Sequence, residues 1–110
     1  MLLNEGKIGN ISLKNRFVML PTVTNLSNDG FVSEKEINYY DRRSKDVGLV
    51  IVEACYVNKF GKFFKNQLGI DDDDKIEGLK RLADVIKKMV QRLQFSLLCT
   101  TLSISRLILL

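Results

Sequence analysis

The residues with chemical potential gather at the ends of two apolar runs. Arg16–Leu20 leads into Pro21, Thr22 and Val23 and then a polar stretch holding Thr24, Asn25, Ser27, Asn28, Asp29 and Gly30. Leu49–Val52 leads into Glu53, Ala54 and Cys55. A carboxylate such as Glu53 can move a proton, and a thiol such as Cys55 can attack an electrophile once a base ionises it. The chain has no histidine. That excludes Ser-His-Asp and Cys-His nucleophile systems and any histidine-based metal site within these residues. The two cysteines, Cys55 and Cys99, lack metal-type spacing and suggest no disulfide framework. Cys55 therefore reads as a small packed residue, and Glu53 on its own as a paired or solvated carboxylate. Phosphate cradles are missing too: "GKFFKN" lacks the P-loop pattern, and no G-x-G-x-x-G follows either run.

The elements that must position these residues can be read in order. With 110 residues, 45% apolar and 27% charged, the chain has the composition of one folded domain. Its net charge is +4, but lysines and arginines are scattered among acids, which argues against a nucleic-acid face. The N-terminus lacks a basic region followed by an apolar stretch, so the expected location is the cytoplasm. Ile8 and Ile11–Leu13 around Gly9-Asn10 predict a hairpin. Arg16–Leu20 predicts a buried strand that Pro21 closes, because proline donates no backbone hydrogen bond. Ser33 and Glu36 form a capping box for a helix from about Glu34 to Lys45. Leu49–Val52 is a continuous β-branched run of the kind parallel sheets bury on both faces. A second helix covers "DKIEGLKRLADVIKK", with Asp73 or Asp74 as its cap and Ile76, Leu79, Leu82, Ala83 and Ile86 as its apolar stripe. Tyr39 and Tyr40 read as helix packing. The order hairpin, β, α, β, α predicts an α/β protein with parallel strands, either doubly wound or a β/α barrel plugged by the hairpin.

Several ordered motifs then carry a resemblance. "IGNISLKNRFVMLP", "TN", "DGFVSE", "YY", "GLVIVEA" and "NQLGIDDDDKIEGLKRLADVIKK" together resemble the start of the Old Yellow Enzyme-like family of FMN-dependent NADH:flavin oxidoreductases and ene-reductases. The likeness runs from about Ile8 to Lys88. It implies a (β/α)8 TIM barrel, here incomplete: the N-terminal hairpin plus the first two β/α units. It implies FMN at the C-terminal strand ends, where barrel active sites lie, and NAD(P)H as electron donor. By position, Leu20, Pro21, Thr22 and Val23 are the loop against the flavin ring. Ala54 is the residue of the second strand that touches it. Asn25 falls where some members place a substrate-side aromatic. Relatives often carry Cys or Thr at the position of Val23, which cannot donate a hydrogen bond, so side-chain tuning of the flavin is not expected here. The implied acceptor is a small molecule such as an activated alkene. No catalytic and no metal-binding residue is assigned in this chain.

Past Lys88 the resemblance fades. The family's third strand, reading like His-Gly-Ala-Lys, a few apolar residues, then Gln, is not found in "MVQRLQFSLLCTTLSISRLILL". A one-base shift in a chosen set of codons for Met89–Ser96 reads through Gly-Ala-Lys-Ala-Thr-Ile-Gln. The expectation is therefore 1–88 as the barrel portion and 89–110 as an apolar tail of out-of-frame translation. A membrane anchor is not expected, because Arg92 and Arg106 bracket only 13 residues against the roughly 20 a spanning helix needs. The family's flavin-phosphate ligands, substrate-gripping histidines and proton donor come from later elements, so the isolated chain is expected to be inactive. The alternative is a small non-catalytic interaction protein, built from two β/α units and self-associating through exposed strand edges.

Overall fold

Gly9 and Asn10 turn the chain so that Gly6–Ile8 (β1) and Ile11–Leu13 (β2) pair antiparallel, with Ile8 opposite Ile11. Gly9 sits at φ +57°, which glycine adopts without steric cost. In the computed structural model, which describes residues 1–90, 92–98 and 106–109, this hairpin precedes a second sheet. Its strands are Val18–Met19 (β3), Leu49–Tyr56 (β4), Leu93–Leu98 (β5) and Arg106–Leu109 (β6), in that spatial order. The first three are parallel and β6 is antiparallel to β5. Glu34–Arg43 (α1) connects β3 to β4, and Ile76–Lys87 (α2) connects β4 to β5. The expected alternation of strand and helix is present.

Strand β3 is shorter than Arg16–Leu20. Only Val18 and Met19 pair with β4, opposite Leu49 and Val50. Asn15 breaks the run before it: its Oδ1 accepts the Phe17 amide at 3.0 Å and its Nδ2 donates to the Asp46 carbonyl at 2.9 Å. Pro21 ends it on the other side. Gly48 is fixed by the same crossing, because a Cβ there would lie 2.3 Å from the Asn15 carbonyl oxygen. The backbones can approach this closely only without a side chain.

The helices pack on one face of the sheet. Ile37, Tyr40, Val50, Val52, Leu79, Leu82, Ile86, Leu93 and Phe95 form the core, and burying each large apolar side chain stabilises the fold by about 1.5–3 kcal/mol. Ser33 Oγ accepts the Glu36 amide at 3.2 Å and starts α1. The cap before α2 is Asp72, not Asp73 or Asp74. Its Oδ1 accepts the Asp74 amide at 3.2 Å over a 3-10 turn, Asp73–Lys75, so α2 begins only at Ile76. The buried stripe accordingly starts at Leu79, and Ile76 is exposed.

The sequence reading expects no strand after Lys88, yet β5 extends the sheet in parallel register from Val50↔Leu93 to Tyr56↔Leu98. Leu93 and Phe95 alternate into the core, as a strand requires. The remaining tail residues, 99–105 and 110, lie outside the described residues. Among the described residues no helix is long and apolar enough to cross a membrane.

Candidate functional site

The end of β4 is irregular. Val52 pairs with Phe95 but Ala54 pairs with Ser96, so Glu53 is an extra residue in the ladder. Such a β-bulge re-aims the following side chain and leaves a backbone amide free. Here Tyr40 of α1 takes it: the Glu53 amide donates to the Tyr40 hydroxyl oxygen at 3.0 Å, and that hydroxyl donates to Glu53 Oε1 at 3.3 Å. From the loop after β3, the Thr24 amide donates to Glu53 Oε2 at 3.1 Å and the Thr24 hydroxyl to Oε1 at 2.8 Å. The Leu26 amide in turn donates to Thr24 Oγ1 at 3.3 Å. Glu53 is fully buried, so it joins three elements out of reach of water.

Electrostatics around it are one-sided. Burial, then the Glu53 charge, pushes the Tyr40 hydroxyl well above its usual range, so it stays protonated. The same two causes push up the Cys55 thiol. That agrees with its reading as a packed, unreactive residue. Glu36 of α1 is also fully buried. Burial, followed by Glu53, pushes its carboxyl up to about 9, so it is neutral at pH 7.

The expected flavin-facing residues lie beside this network. Leu20, Pro21 and Thr22 are exposed, and Val23 is half-buried. Among the described residues, the amides of Thr22 and Val23 and the carbonyls of Pro21, Thr22 and Val23 have no hydrogen-bond partner. Val52 and Cys55 sit in the core while Ala54 is half-buried between them, consistent with the bulge turning Ala54 to the other face. The Thr24–Glu53 bonds bring this loop to the same strand end as Ala54. Asn25 is exposed at φ +57°, and its Oδ1 accepts the Asn66 amide at 2.8 Å. It thereby ties the first strand-end loop to the second. Gln67, fully buried, completes the second loop: its Nε2 donates to the Ala54 carbonyl at 2.9 Å, and its Oε1 accepts the amides of Phe63 and Phe64.

These residues fit one edge of a flavin. The polar edge of an isoalloxazine alternates carbonyl oxygens with ring nitrogens and needs backbone groups free of internal partners. Pro21–Val23 supplies them. Its flat ring needs a wall without bulky side chains, which Ala54 supplies. A separate cleft of about 600 Å³ lies by the hairpin, lined by Gly6, Ile8, Leu13, Arg16 and Val18. That is the N-terminal end of the strands, away from where barrel sites form.

Sequence reasoning missed the supporting residues Thr24, Glu36, Tyr40 and Gln67. One signal was present. Glu36 and Tyr40 stand four apart, flanking Ile37, so two polar-headed side chains share the face that α1 buries.

Comparison with known proteins identifies the family. Residues 5–101 match the NADH:flavin oxidoreductase / NADH oxidase family. The chain is 47% identical over 78 residues to an NADH:acrylate oxidoreductase of Vibrio harveyi, covering 70% of this chain and 8% of that protein. It is 44% identical over 88 residues to an NADH oxidase of Thermoanaerobacter brockii, covering 77% of this chain and 14% of the relative. Old Yellow Enzyme from a Pichia species superposes with a TM-score of 0.78 at 28% identity, over 88% of this chain and 26% of that one. The chain thus spans about a quarter or less of the length of each. The solved-structure neighbours are TIM barrels, and the open sheet described above is an incomplete one. With that family's model matching residues 5–101 of 110, the chain belongs to the NADH:flavin oxidoreductase / NADH oxidase family.

Proposed function

We infer that this chain is the N-terminal part of an FMN-dependent oxidoreductase that takes hydride from NAD(P)H and delivers it to an activated alkene or similar small acceptor. The observation that carries this reading is the strand-end loop, whose unpaired backbone groups at Pro21–Val23 sit beside Ala54 within a family-matched stretch. Bound FMN would supply the hydride chemistry, and the protein supplies binding and orientation. In this chain, the backbone of Leu20, Pro21, Thr22 and Val23 would hold the polar edge of the ring. Ala54 would leave room for its face. Glu53, acting through Thr24, would set where the loop sits. The name of the Vibrio harveyi relative, an NADH:acrylate oxidoreductase, supports an unsaturated acid as the type of acceptor.

The isolated chain is inferred to be inactive and to bind FMN weakly, because it spans so little of its relatives. A fluorescence titration that gave tight, stoichiometric FMN binding would overturn that part. The functional reading itself is tested by a chimera in which residues 1–88 replace the aligned segment of the Thermoanaerobacter brockii NADH oxidase. The expected chimera binds FMN and oxidises NADH. A chimera that folds but leaves FMN unbound would count against it.

One observation favours a second reading. In a barrel the free edge of β5 pairs with a further parallel strand, whereas here β6 closes it antiparallel. A small non-catalytic protein would be built this way, with β3 and the outer side of β6 as its edges for self-association. Light scattering decides between them: a discrete, cooperatively unfolding oligomer without FMN affinity supports this second reading.

A further inference from the structure

Two buried carboxyls face each other from adjoining elements. Glu53, on the β4 bulge, is satisfied by Thr24 and Tyr40. Neither oxygen of Glu36, on α1, makes a hydrogen bond. Beside it lie the Ser33 amide, out of bonding geometry, and Glu53 itself. Glu36 ionised and Glu53 are both acceptors, so the two carboxyls can hydrogen-bond each other directly only when one of them carries a proton. The other ionisable groups around them are Tyr40 of α1 and Cys55 of β4, both held protonated. Among the described residues no cation offsets the pair: the ion pairs there are Lys62–Asp29, Lys75–Asp71 and Arg81–Glu34. Two ionised carboxylates here would repel in a poorly screened interior.

We propose that Glu36 and Glu53 share one proton, carried on Glu36, and that this proton fastens the strand-end loop Thr22–Asn25 to β4. The line of contacts runs from Glu36 to Glu53, then to the Thr24 amide and hydroxyl, then to the Leu26 amide. With the proton in place, Glu36 donates to Glu53, whose remaining lone pairs stay aimed at Thr24. When the proton leaves to solvent, the charges repel and Glu53 shifts away, releasing Thr24. Burial and the Glu53 charge place that release near pH 9, so the loop is locked at neutral pH. Glu36 and Glu53 are positioning residues: neither is among the residues inferred to face a flavin.

The test uses the whole chain without flavin, so its result does not depend on the oxidoreductase reading. Glutamate carboxyls are labelled with ¹³C and titrated by NMR from about pH 5 to about pH 10, while amide exchange is followed at Thr24 and Leu26. The expected result is one carboxyl titrating near 9. Across that midpoint, Thr24 protection falls about tenfold beyond the ordinary base-catalysed rise. Glu36→Gln, which keeps a neutral donor, should hold Thr24 protection constant with pH. Glu53→Gln should lower the Glu36 midpoint by removing the facing charge. The proposal is overturned if Glu36 titrates in the ordinary carboxylate range, or if Thr24 protection falls equally in wild type and Glu36→Gln. Should the variants fail to fold, the wild-type carboxyl titration decides alone.

Discussion

Strands β3 and β4 lie side by side and end at the same site, yet they are held in opposite ways. β4 is eight residues long, paired on both sides and mostly buried. β3 pairs over two residues on one side, and its surroundings are open: Phe17 is 40%, Val18 37% and Leu20 68% exposed. The loop inferred to meet the flavin leaves the weakly held strand. Its placement therefore cannot come from β3's own ladder. It comes from β4, through the bulged Glu53 and its bonds to Thr24. The stiff strand positions the soft one.

The largest expected effect tests the stiff side. Phe95 is fully buried against β4, and Phe95→Ala should cost about 3–5 kcal/mol in urea denaturation. Val18→Ala, at a position already partly exposed, should cost less than about 1 kcal/mol. A comparable loss at both sites would erase the contrast.

A middle-sized effect tests the link between the strands. Tyr40→Phe removes the partner that the bulged Glu53 amide has among the described residues, and leaving a buried donor unsatisfied costs about 1–3 kcal/mol. Thr24 exchange should quicken as well, since Tyr40 also donates to Glu53. If stability drops while Thr24 stays protected, the bulge and the loop are independent.

The pH dependence is smaller per step, and its sign follows from Glu36. Its carboxyl sits near 4.5 in the unfolded chain and about 9 in the folded one. Below 4.5 both states hold the proton, and its contribution to stability is fully present. Between 4.5 and 9 the unfolded state releases the proton and the native state keeps it. Stability then falls as pH rises, by at most about 1.4 kcal/mol per unit. Above 9 both states are ionised and the loss levels off. Glu36→Gln should flatten this slope, and an equal slope in both proteins would remove Glu36 as its source.

How much of this was legible in the residues follows the same division. The hairpin shows in Gly9-Asn10, β4 in its β-branched run, and α1 in the Ser33 cap. Each is a local pattern with a local cause. Pro21 rightly marks the end of β3, but Asn15's bonds to Asp46 and Phe17, which shorten the strand from the other side, are long-range. The bulge has no local signature, because it is a relation between the registers of β4 and β5. Glu36 misleads for a similar reason. Three residues after Ser33 it looks like the second half of a capping box, and only tertiary packing shows that it is buried against another acid. β5 is hidden because the run after Lys88 lacks the third-strand motif of the family it resembles, although Leu93 and Phe95 alternate there as a strand requires.

The smallest effect sharpens the comparison most. Pro21 lies just past the paired residues of β3, exposed, at the start of the candidate flavin loop. Pro21→Ala loses no core contact. It enlarges the freedom of the unfolded chain, which should lower stability by about 0.4–1 kcal/mol. The informative reading is not this number but the exchange of the Thr24 amide in the same variant. If β4 places the loop, Glu53 still holds Thr24 and its protection is unchanged once the global loss is subtracted. If the proline's stiffness places the loop, Thr24 protection collapses although Glu53, Tyr40 and Glu36 are all intact. The first outcome leaves Pro21 as a strand terminator and assigns the site's geometry to the buried acids. The second makes the soft strand its own anchor.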